Sequence, residues 1–159
     1  MSLLKIDNLS LDIGRAAILR DVSLSVDPGQ IVGVIGESGS GKSMTAFSVM
    51  QLLPEGARCT GSISLSGNDI LSLSEAEMCK LRGNDVGMVF QEPMTALNPI
   101  RNIGDQVAET ILIHEDVPKS EALARARDAL NRVELPEDRF PLTRYPHELS
   151  GGQRQRVVI

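Results

Sequence analysis

The sequence lacks long apolar runs, long basic runs and any pairing pattern among its cysteines, and each absence excludes a class of protein. Apolar stretches such as residues 31–35 and 111–113 fall far short of the roughly 18 residues that suggest a membrane span. The net charge is −5 and Lys and Arg are dispersed, which argues against nucleic acid as the main partner. Cys59 and Cys79 fit neither a CxxC nor a Cys/His spacing, so we interpret them as reduced thiols of a cytosolic protein. Residues 1–7 lack a basic region followed by an apolar region, so we expect no signal peptide.

The first part of the chain has the periodicity of strands. Val22, Leu24 and Val26 alternate with polar residues, which is typical of a half-buried strand. Residues 31–35 instead form a continuous, mostly β-branched run, which predicts a strand covered on both faces. Residues 86–90 predict a second strand of this buried type. The chain is long enough for one domain with a hydrophobic core.

Helical patterns dominate after residue 100. Residues 103–113 and 119–133 both have the helical period. In the second helix one face is predicted to hold the apolar residues, with Arg and Asp pointing away; that face comprises Ala122, Ala126, Ala129, Leu130 and Val133. A final helix is predicted from Gly151 onward and is still running at Ile159. Since its apolar end, residues 157–159, would have nothing to pack against, we interpret the chain as part of a longer protein.

A glycine-rich phosphate loop lies between the predicted strand 31–35 and the helix that follows it. It matches the pattern GxxxxGK[ST] with the residues Gly36, Glu37, Ser38, Gly39, Ser40, Gly41, Lys42 and Ser43. Consecutive backbone N–H groups and a helix N-terminus can hold the concentrated negative charge of a nucleoside triphosphate. Lys42 can reach the β- and γ-phosphates, and the Ser43 hydroxyl can ligate Mg²⁺. The sequence therefore predicts triphosphate binding by residues 36–43.

A second anion-binding helix start is predicted at Leu149-Ser150-Gly151-Gly152-Gln153. Ser150 can cap the helix, and Gln153 stands three residues later at the reciprocal capping position. Gly151 and Gly152 expose N–H groups without side-chain obstruction. One triphosphate needs only one such site, so the second calls for an explanation.

Together the two motifs resemble those of ATP-binding cassette (ABC) proteins, in which residues 149–153 correspond to the signature motif. The resemblance implies an α/β fold, a P-loop NTPase core with an N-terminal antiparallel β-subdomain and an inserted helical subdomain. Residues 1–90 would form the β-subdomain and the phosphate-loop core, and residues 91–159 the glutamine loop, the helical subdomain and the signature motif. It also implies that two nucleotide-binding domains pair head to tail. Ser150, Gly151, Gly152 and Gln153 would then contact ATP held on the loop of a second ATP-binding subunit.

The stretch from Val89 to Pro99 resembles one branch of the family, the ATP-binding subunits of bacterial dipeptide and oligopeptide importers, which also includes nickel and glutathione importers. Residues 103–106 and 144–148 support the same branch. Gln91 corresponds to the family's glutamine loop, which implies contact with Mg²⁺ or the attacking water, and docking of transmembrane permease subunits nearby. By resemblance, Lys42 and Gln91 are therefore the candidate catalytic residues, and Ser43 and Gln91 the candidate Mg²⁺ ligands.

Two features depart from the family pattern. Ile13 stands where many members stack an aromatic residue on adenine, so aromatic stacking, worth about 1 kcal/mol, is not expected. The family's Asp for Mg²⁺, its Glu general base and its His switch all follow the signature motif and are not in this chain. We therefore expect the 159 residues to bind ATP and to hydrolyse it weakly or not at all.

The leading hypothesis is the ATP-binding subunit of a bacterial importer of short peptides, on the cytoplasmic face of the inner membrane. Its implied partners are a second ATP-binding subunit, the permeases and, indirectly, a periplasmic or extracellular substrate-binding protein, with no nucleic acid. Two alternatives remain: import of nickel or glutathione, and a soluble ABC-type ATPase that acts on DNA or ribosomes. The short separation of the two motifs, without heptads or zinc-ligand cysteines, speaks against the soluble class.

Overall fold

The computed structural model describes residues 2–90 and 96–159. Within them the chain divides into two compact units, Met1–Arg82 and Gly83–Ile159, which we describe separately. In the described part of the chain, no helix combines the length and apolar character needed to cross a membrane.

The first unit is built on an antiparallel sheet. Its strands are β1 (Leu4–Ile13), β2 (Ala16–Val26), β3 (Ala57–Leu65) and β4 (Asn68–Asp69), in the order β2-β1-β3-β4 among the described residues. Strand β1 is central and bonded on both sides, as in the register Ile6↔Leu24 and Ile6↔Ile63. The predicted alternation in β2 is confirmed, because Val22, Leu24 and Val26 are half-buried between exposed neighbours.

Two helices complete the first unit. Helix α1 spans Lys42–Val49 and helix α2 spans Glu75–Leu81. The core contains side chains from the strands and both helices: Ile6, Leu9, Leu11, Leu19, Val49, Met50, Ile63, Leu65, Ile70 and Met78. Both cysteines of the chain are free thiols, and burial raises the pKa of the Cys59 thiol above its ordinary value.

The prediction of buried strands at residues 31–35 and 86–90 is wrong for this structure. Neither segment joins the sheet, and Ile31 and Ile35 are 98% and 97% exposed. A strand forms only when a neighbouring strand accepts and donates its backbone hydrogen bonds. No described residue pairs with 31–35 in this way.

The second unit is helical, with α3 (Ile103–His114), α4 (Lys119–Arg132) and α5 (Gly151–Val158). One buried cluster gathers residues from all three helices and the connection between α4 and α5: Ile103, Leu130, Leu135, Phe140, Leu149 and Val157. A smaller cluster joins Ala108 of α3 to Ala122 and Ala126 of α4. The expectation that residues 157–159 have nothing to pack against is therefore wrong for Val157, which is 8% exposed.

The predicted apolar face of α4 needs two corrections. Ala129 is exposed, and Arg127 is buried instead of pointing away. Its guanidinium donates to the backbone carbonyls of Leu135 and Phe140, the latter at 2.8 Å, and to the side chain of Asn131 at 3.1 Å. The two carbonyls belong to the irregular segment after the helix, so the position of Arg127 depends on tertiary structure that a helical period does not encode.

Candidate functional site

The phosphate loop runs without regular structure from Gly36 to Gly41 and leads directly into α1 at Lys42. Gly41 is the N-cap residue, in the left-handed conformation with φ 89°, and no side chain among the described residues caps the helix. The N–H of Thr45 and its hydroxyl both donate to the Gly41 carbonyl, at 2.8 and 3.1 Å, and these bonds fix the first turn. The uncapped N–H groups at this helix start are suited to an anion.

Close packing against strand β2 fixes the position of the loop. A Cβ on Gly41 would lie 2.4 Å from Cδ2 of Leu19 and 3.4 Å from the Ile18 carbonyl oxygen. Leu19 is itself buried in the core of the first unit. The glycine at this position is therefore required both by its positive φ and by the contact with the sheet.

Lys42 holds the loop through three contacts. Its Nζ donates to the carbonyl oxygens of Gly36 and Glu37 at 2.7 and 2.6 Å, and to the Ser40 hydroxyl at 3.2 Å. The N–H of Ser40 donates to the Glu37 carbonyl at 3.2 Å, which closes a turn within the loop. The structure thus curls residues 36–42 around one ammonium group.

The remaining predicted loop residues lie on the same exposed rim. Glu37, Ser38, Gly39 and Ser43 are all exposed. The Ser43 side chain lies in the first turn of α1. Among the described residues no cluster of three or more His, Cys, Asp or Glu could hold a metal by itself. A Mg²⁺ ion that binds together with a nucleotide takes oxygen ligands, and the Ser43 hydroxyl is a donor of that type.

Ile13, the predicted adenine neighbour, ends strand β1. It pairs with Ala16 across the Gly14-Arg15 turn and with Ala57 of β3, and its side chain is half-buried. The structure places it at the end of the sheet in the same unit as the phosphate loop.

The segment 149–153 forms the predicted capped helix start in the second unit. The Ser150 hydroxyl accepts from the N–H of Gln153 at 3.4 Å, and the Ser150 N–H donates to Oε1 of Gln153 at 2.8 Å. Leu149 is buried, whereas Ser150, Gly151 and Gly152 are exposed. The predicted capping box is confirmed, and the two glycines face away from the core.

The start of α3 holds the chain that leads into this segment. The N–H groups of Ile103 and Gly104 donate to the carbonyls of Arg144 and Leu142, at 2.8 and 2.9 Å. Gly104 packs so closely that a Cβ there would lie 2.6 Å from Cβ of Leu142. The first residues of α3 are thereby joined to residues 142–144, just before the segment that ends in the signature motif.

Gln106 ties the loop before α3 to the helix. Its side-chain amide accepts from the N–H of Asn98 at 2.7 Å and donates to the carbonyls of Asn98 and Arg101, at 3.1 and 2.9 Å. These bonds tie residues 98 and 101 to the first turn of α3. Gln91, the predicted glutamine-loop residue, lies outside the described residues together with positions 92–95.

Sequence reasoning missed two arginines that support the segment 149–153. Arg154 donates from Nε to the carbonyls of Pro146 and Leu149, and Arg156 donates to the carbonyls of Val133 and Glu134. Their only sequence signal is the position directly after the predicted helix start. Which carbonyls they reach depends on the folded connection, so the pattern could not reveal the contacts.

Comparison with known proteins decides the family. The family model described as ABC transporter matches residues 19–159, which include both motifs. The chain belongs to the ABC transporter family. The fold agrees: a dimeric ABC cassette, MJ0796, described in a post-hydrolysis state with ADP and Pi, superimposes with a TM-score of 0.82 at 29% identity. The match covers 98% of this chain and 66% of that one. The predicted fold class, an α/β P-loop NTPase fold with an N-terminal antiparallel β-subdomain and a helical subdomain, is confirmed.

The curated ABC relatives include peptide transport proteins of Escherichia coli (strain K12). The probable D,D-dipeptide transport ATP-binding protein DdpD is 49% identical over 148 residues, covering 92% of this chain and 45% of the relative. The oligopeptide transport ATP-binding protein OppD is 44% identical, covering 92% and 43%. The glutathione import ATP-binding protein GsiA of Escherichia coli O157:H7 is 41% identical, covering 99% and 27%. The chain spans less than half the length of each of these relatives.

Proposed function

We propose that this chain is part of the ATP-binding subunit that energises a bacterial membrane importer of short peptides. The observation that carries the proposal is the phosphate loop curled around Lys42 at the start of an uncapped helix. The identity of 44–49% to ATP-binding proteins named for dipeptide and oligopeptide transport supports the choice of substrate.

The roles of the residues in the first unit follow from the loop geometry. On ATP binding, Lys42 would exchange the Gly36 and Glu37 carbonyls for β- and γ-phosphate oxygens, which are stronger partners because they are charged. The N–H groups of residues 39–43 would face the phosphates, and the Ser43 hydroxyl would ligate Mg²⁺. Bound Mg²⁺ supplies neutralisation of charge between the β- and γ-phosphates. Ile13 would offer an aliphatic contact to the adenine.

The second unit would act on ATP held by another subunit. Ser150, Gly151, Gly152 and Gln153 present a helix start that could cover the γ-phosphate in a head-to-tail dimer, as the family resemblance implies. Gln91 would contact the Mg²⁺ or the attacking water. Closure of the dimer would drive the permeases, and hydrolysis would reset it. The subunit would then work as a peripheral protein on the cytoplasmic face of the inner membrane. A periplasmic or extracellular binding protein would deliver the substrate to the permeases.

Nucleotide titration at fixed Mg²⁺ tests the binding site. We expect Lys42→Ala to weaken ATP binding by at least about tenfold, since hydrogen bonds to charged groups contribute about 1.5–3 kcal/mol. Lys80→Ala is the control, because Lys80 is an exposed lysine on α2. Equal affinities for the wild type and Lys42→Ala would contradict the assignment.

The catalytic competence of the 159-residue chain is a separate question. We propose that it binds ATP with little or no turnover, since the family's general base follows the signature motif. Phosphate release by the 159 residues and by the full-length protein should be measured in parallel. Turnover near that of the full-length protein, abolished by Lys42→Ala, would disprove this proposal.

Glutathione is the second candidate cargo, favoured by the 41% identity to GsiA over 99% of the chain. Uptake of labelled dipeptide and of labelled glutathione by a strain that carries or lacks the gene would decide between them. Copurification of the full-length protein with permease subunits would separate both from a soluble ATPase that acts on DNA or ribosomes.

A further inference from the structure

We propose that Arg154 is the positioning residue of the signature motif: it fixes the direction in which Ser150, Gly151 and Gly152 face a second subunit. This inference rests on the proposed function, because it concerns contact with ATP across a dimer. It adds a residue outside the predicted site, which ends at Gln153.

The hydrogen bonds of Arg154 carry the inference. The Nε–H group is shared between two carbonyl oxygens, Pro146 at 2.7 Å and Leu149 at 3.1 Å. The backbone N–H of the same residue donates to the Ser150 carbonyl at 2.9 Å. One residue therefore binds three carbonyls that bracket the point where the chain enters α5.

The two carbonyls that the Arg154 side chain binds lie in the segment that leads into α5, and this segment is held by its own hydrogen bonds. Residues Pro146–Glu148 form a 3₁₀ turn, closed by a bond from the Leu149 N–H to the Pro146 carbonyl at 3.1 Å. At the other end of the turn, the Tyr145 N–H donates to the Glu148 carboxylate at 2.7 Å. Leu149, which follows, is anchored in the buried cluster. Arg154 connects this turn to the first turn of the helix.

The exposed signature residues make few contacts of their own. Ser150, Gly151 and Gly152 are all exposed, and a Cβ on Gly152 would meet no atom within 4 Å. The Ser150–Gln153 capping box fixes the helix start internally and does not set its angle to the preceding turn. Val157 and Arg156 hold the far end of α5, and Arg154 is the side chain that ties its first turn to the turn before it. A charged donor is suited to this task, because its hydrogen bonds to carbonyls are stronger than those of a neutral donor.

The test uses the full-length protein in three forms: wild type, Arg154→Met and Arg154→Lys. Methionine keeps much of the aliphatic length but cannot donate, and lysine keeps a charged donor that can reach one carbonyl. Three quantities are measured in each: ATP affinity of the monomer, the ATP concentration needed for dimerisation, and the temperature of unfolding. Gln155→Ala serves as the control, since Gln155 is an exposed neighbour on the same helix.

For Arg154→Met we expect unchanged ATP affinity of the monomer and dimerisation weakened by about tenfold or more. Arg154→Lys should recover most of that loss, and Gln155→Ala should match the wild type. Dimerisation equal to the wild type in Arg154→Met would overturn the proposal and leave the proposed function intact. A second result would also overturn it: weaker dimerisation in Arg154→Met that Arg154→Lys does not restore and that parallels a fall in the unfolding temperature. That pattern indicates a purely structural role. Failure of the wild type to bind ATP would instead overturn the proposed function, and this inference with it.

Discussion

At the scale of single residues, Gly41 is the point where the phosphate loop meets the sheet. Gly41→Ala adds a Cβ at φ 89°, 2.4 Å from a side-chain carbon of Leu19. We expect a loss of free energy of unfolding of about 1–2 kcal/mol from the left-handed conformation alone, with overpacking of about 1–3 kcal/mol in addition. Chemical denaturation measures it.

The control for Gly41 is Gly29, which also has a positive φ, of 76°, but no atom within 4 Å of an added Cβ. Gly29→Ala should therefore show the conformational cost without the contact with the sheet. If both substitutions destabilise the protein equally, the contact between the loop and β2 contributes nothing.

We expect Asp105 to make the stability of the second unit depend on pH. The Lys119 ammonium, 2.8 Å away, and the Asn102 side chain hold the pKa of this carboxyl below its usual range. Stability that comes from the ionised form is complete above the ordinary aspartate pKa of about 3.9 and is lost as the pH falls through the lower pKa of the folded state.

Asp105→Asn should therefore be less stable than the wild type at neutral pH, with a difference that shrinks as the medium is acidified below pH about 4. Urea denaturation at several pH values measures this. Asp128→Asn, on the exposed surface of α4, is the control. A difference in stability that stays constant across the pH range would show that the pair of Asp105 and Lys119 does not make the stability depend on pH.

At the scale of elements, two helices begin with the same device. Ser74 and Ser150 each accept a bond from the N–H three residues later at 3.4 Å, and each donates its own N–H to that residue's side chain at 2.8 Å. Ser→Ala at either cap should cost about 1 kcal/mol of stability.

Function should separate the two caps. Only Ser150→Ala is expected to weaken ATP-dependent dimerisation of the full-length protein, whereas Ser74→Ala should leave it unchanged at a matched loss of stability. Gel filtration with and without ATP measures the dimer. Equal effects of both substitutions on dimerisation would argue that the loss comes from stability and not from the signature motif.

The elements that the sequence predicted well are those whose determinants are local. The capping box at Ser150 and the helices after residue 100 depend on neighbours within a few positions. The prediction of a strand at residues 31–35 was wrong because strand formation needs hydrogen-bond partners elsewhere in the chain. Arg127 and Arg154 could not be predicted in their roles, because their acceptors are backbone carbonyls that look alike in any sequence.

At the scale of the whole molecule, the chain combines a well-bonded sheet with an apolar segment outside it. Strand β1 is bonded on both sides, whereas residues 31–35 pair with no described strand and include two isoleucines that are almost fully exposed. Amide hydrogen exchange should therefore protect β1 and leave residues 31–35 fast in the 159-residue chain.

The full-length protein provides the comparison, since the curated relatives are more than twice as long as the part matched here. We expect residues 31–35 to become protected there, because a continuous β-branched run is typical of a strand buried on both faces. Strong protection of these amides already in the 159-residue chain would contradict the exposure described here.

The contacts of Lys42 also bear on how tightly nucleotide can be held. Its ammonium already sits on two carbonyls and a hydroxyl of its own loop, so these oxygens would compete with the ATP phosphates for the lysine. The free energy of binding is then a difference between two sets of partners and not the full strength of the phosphate contacts. We expect the same contacts to hold the loop together when no nucleotide is bound.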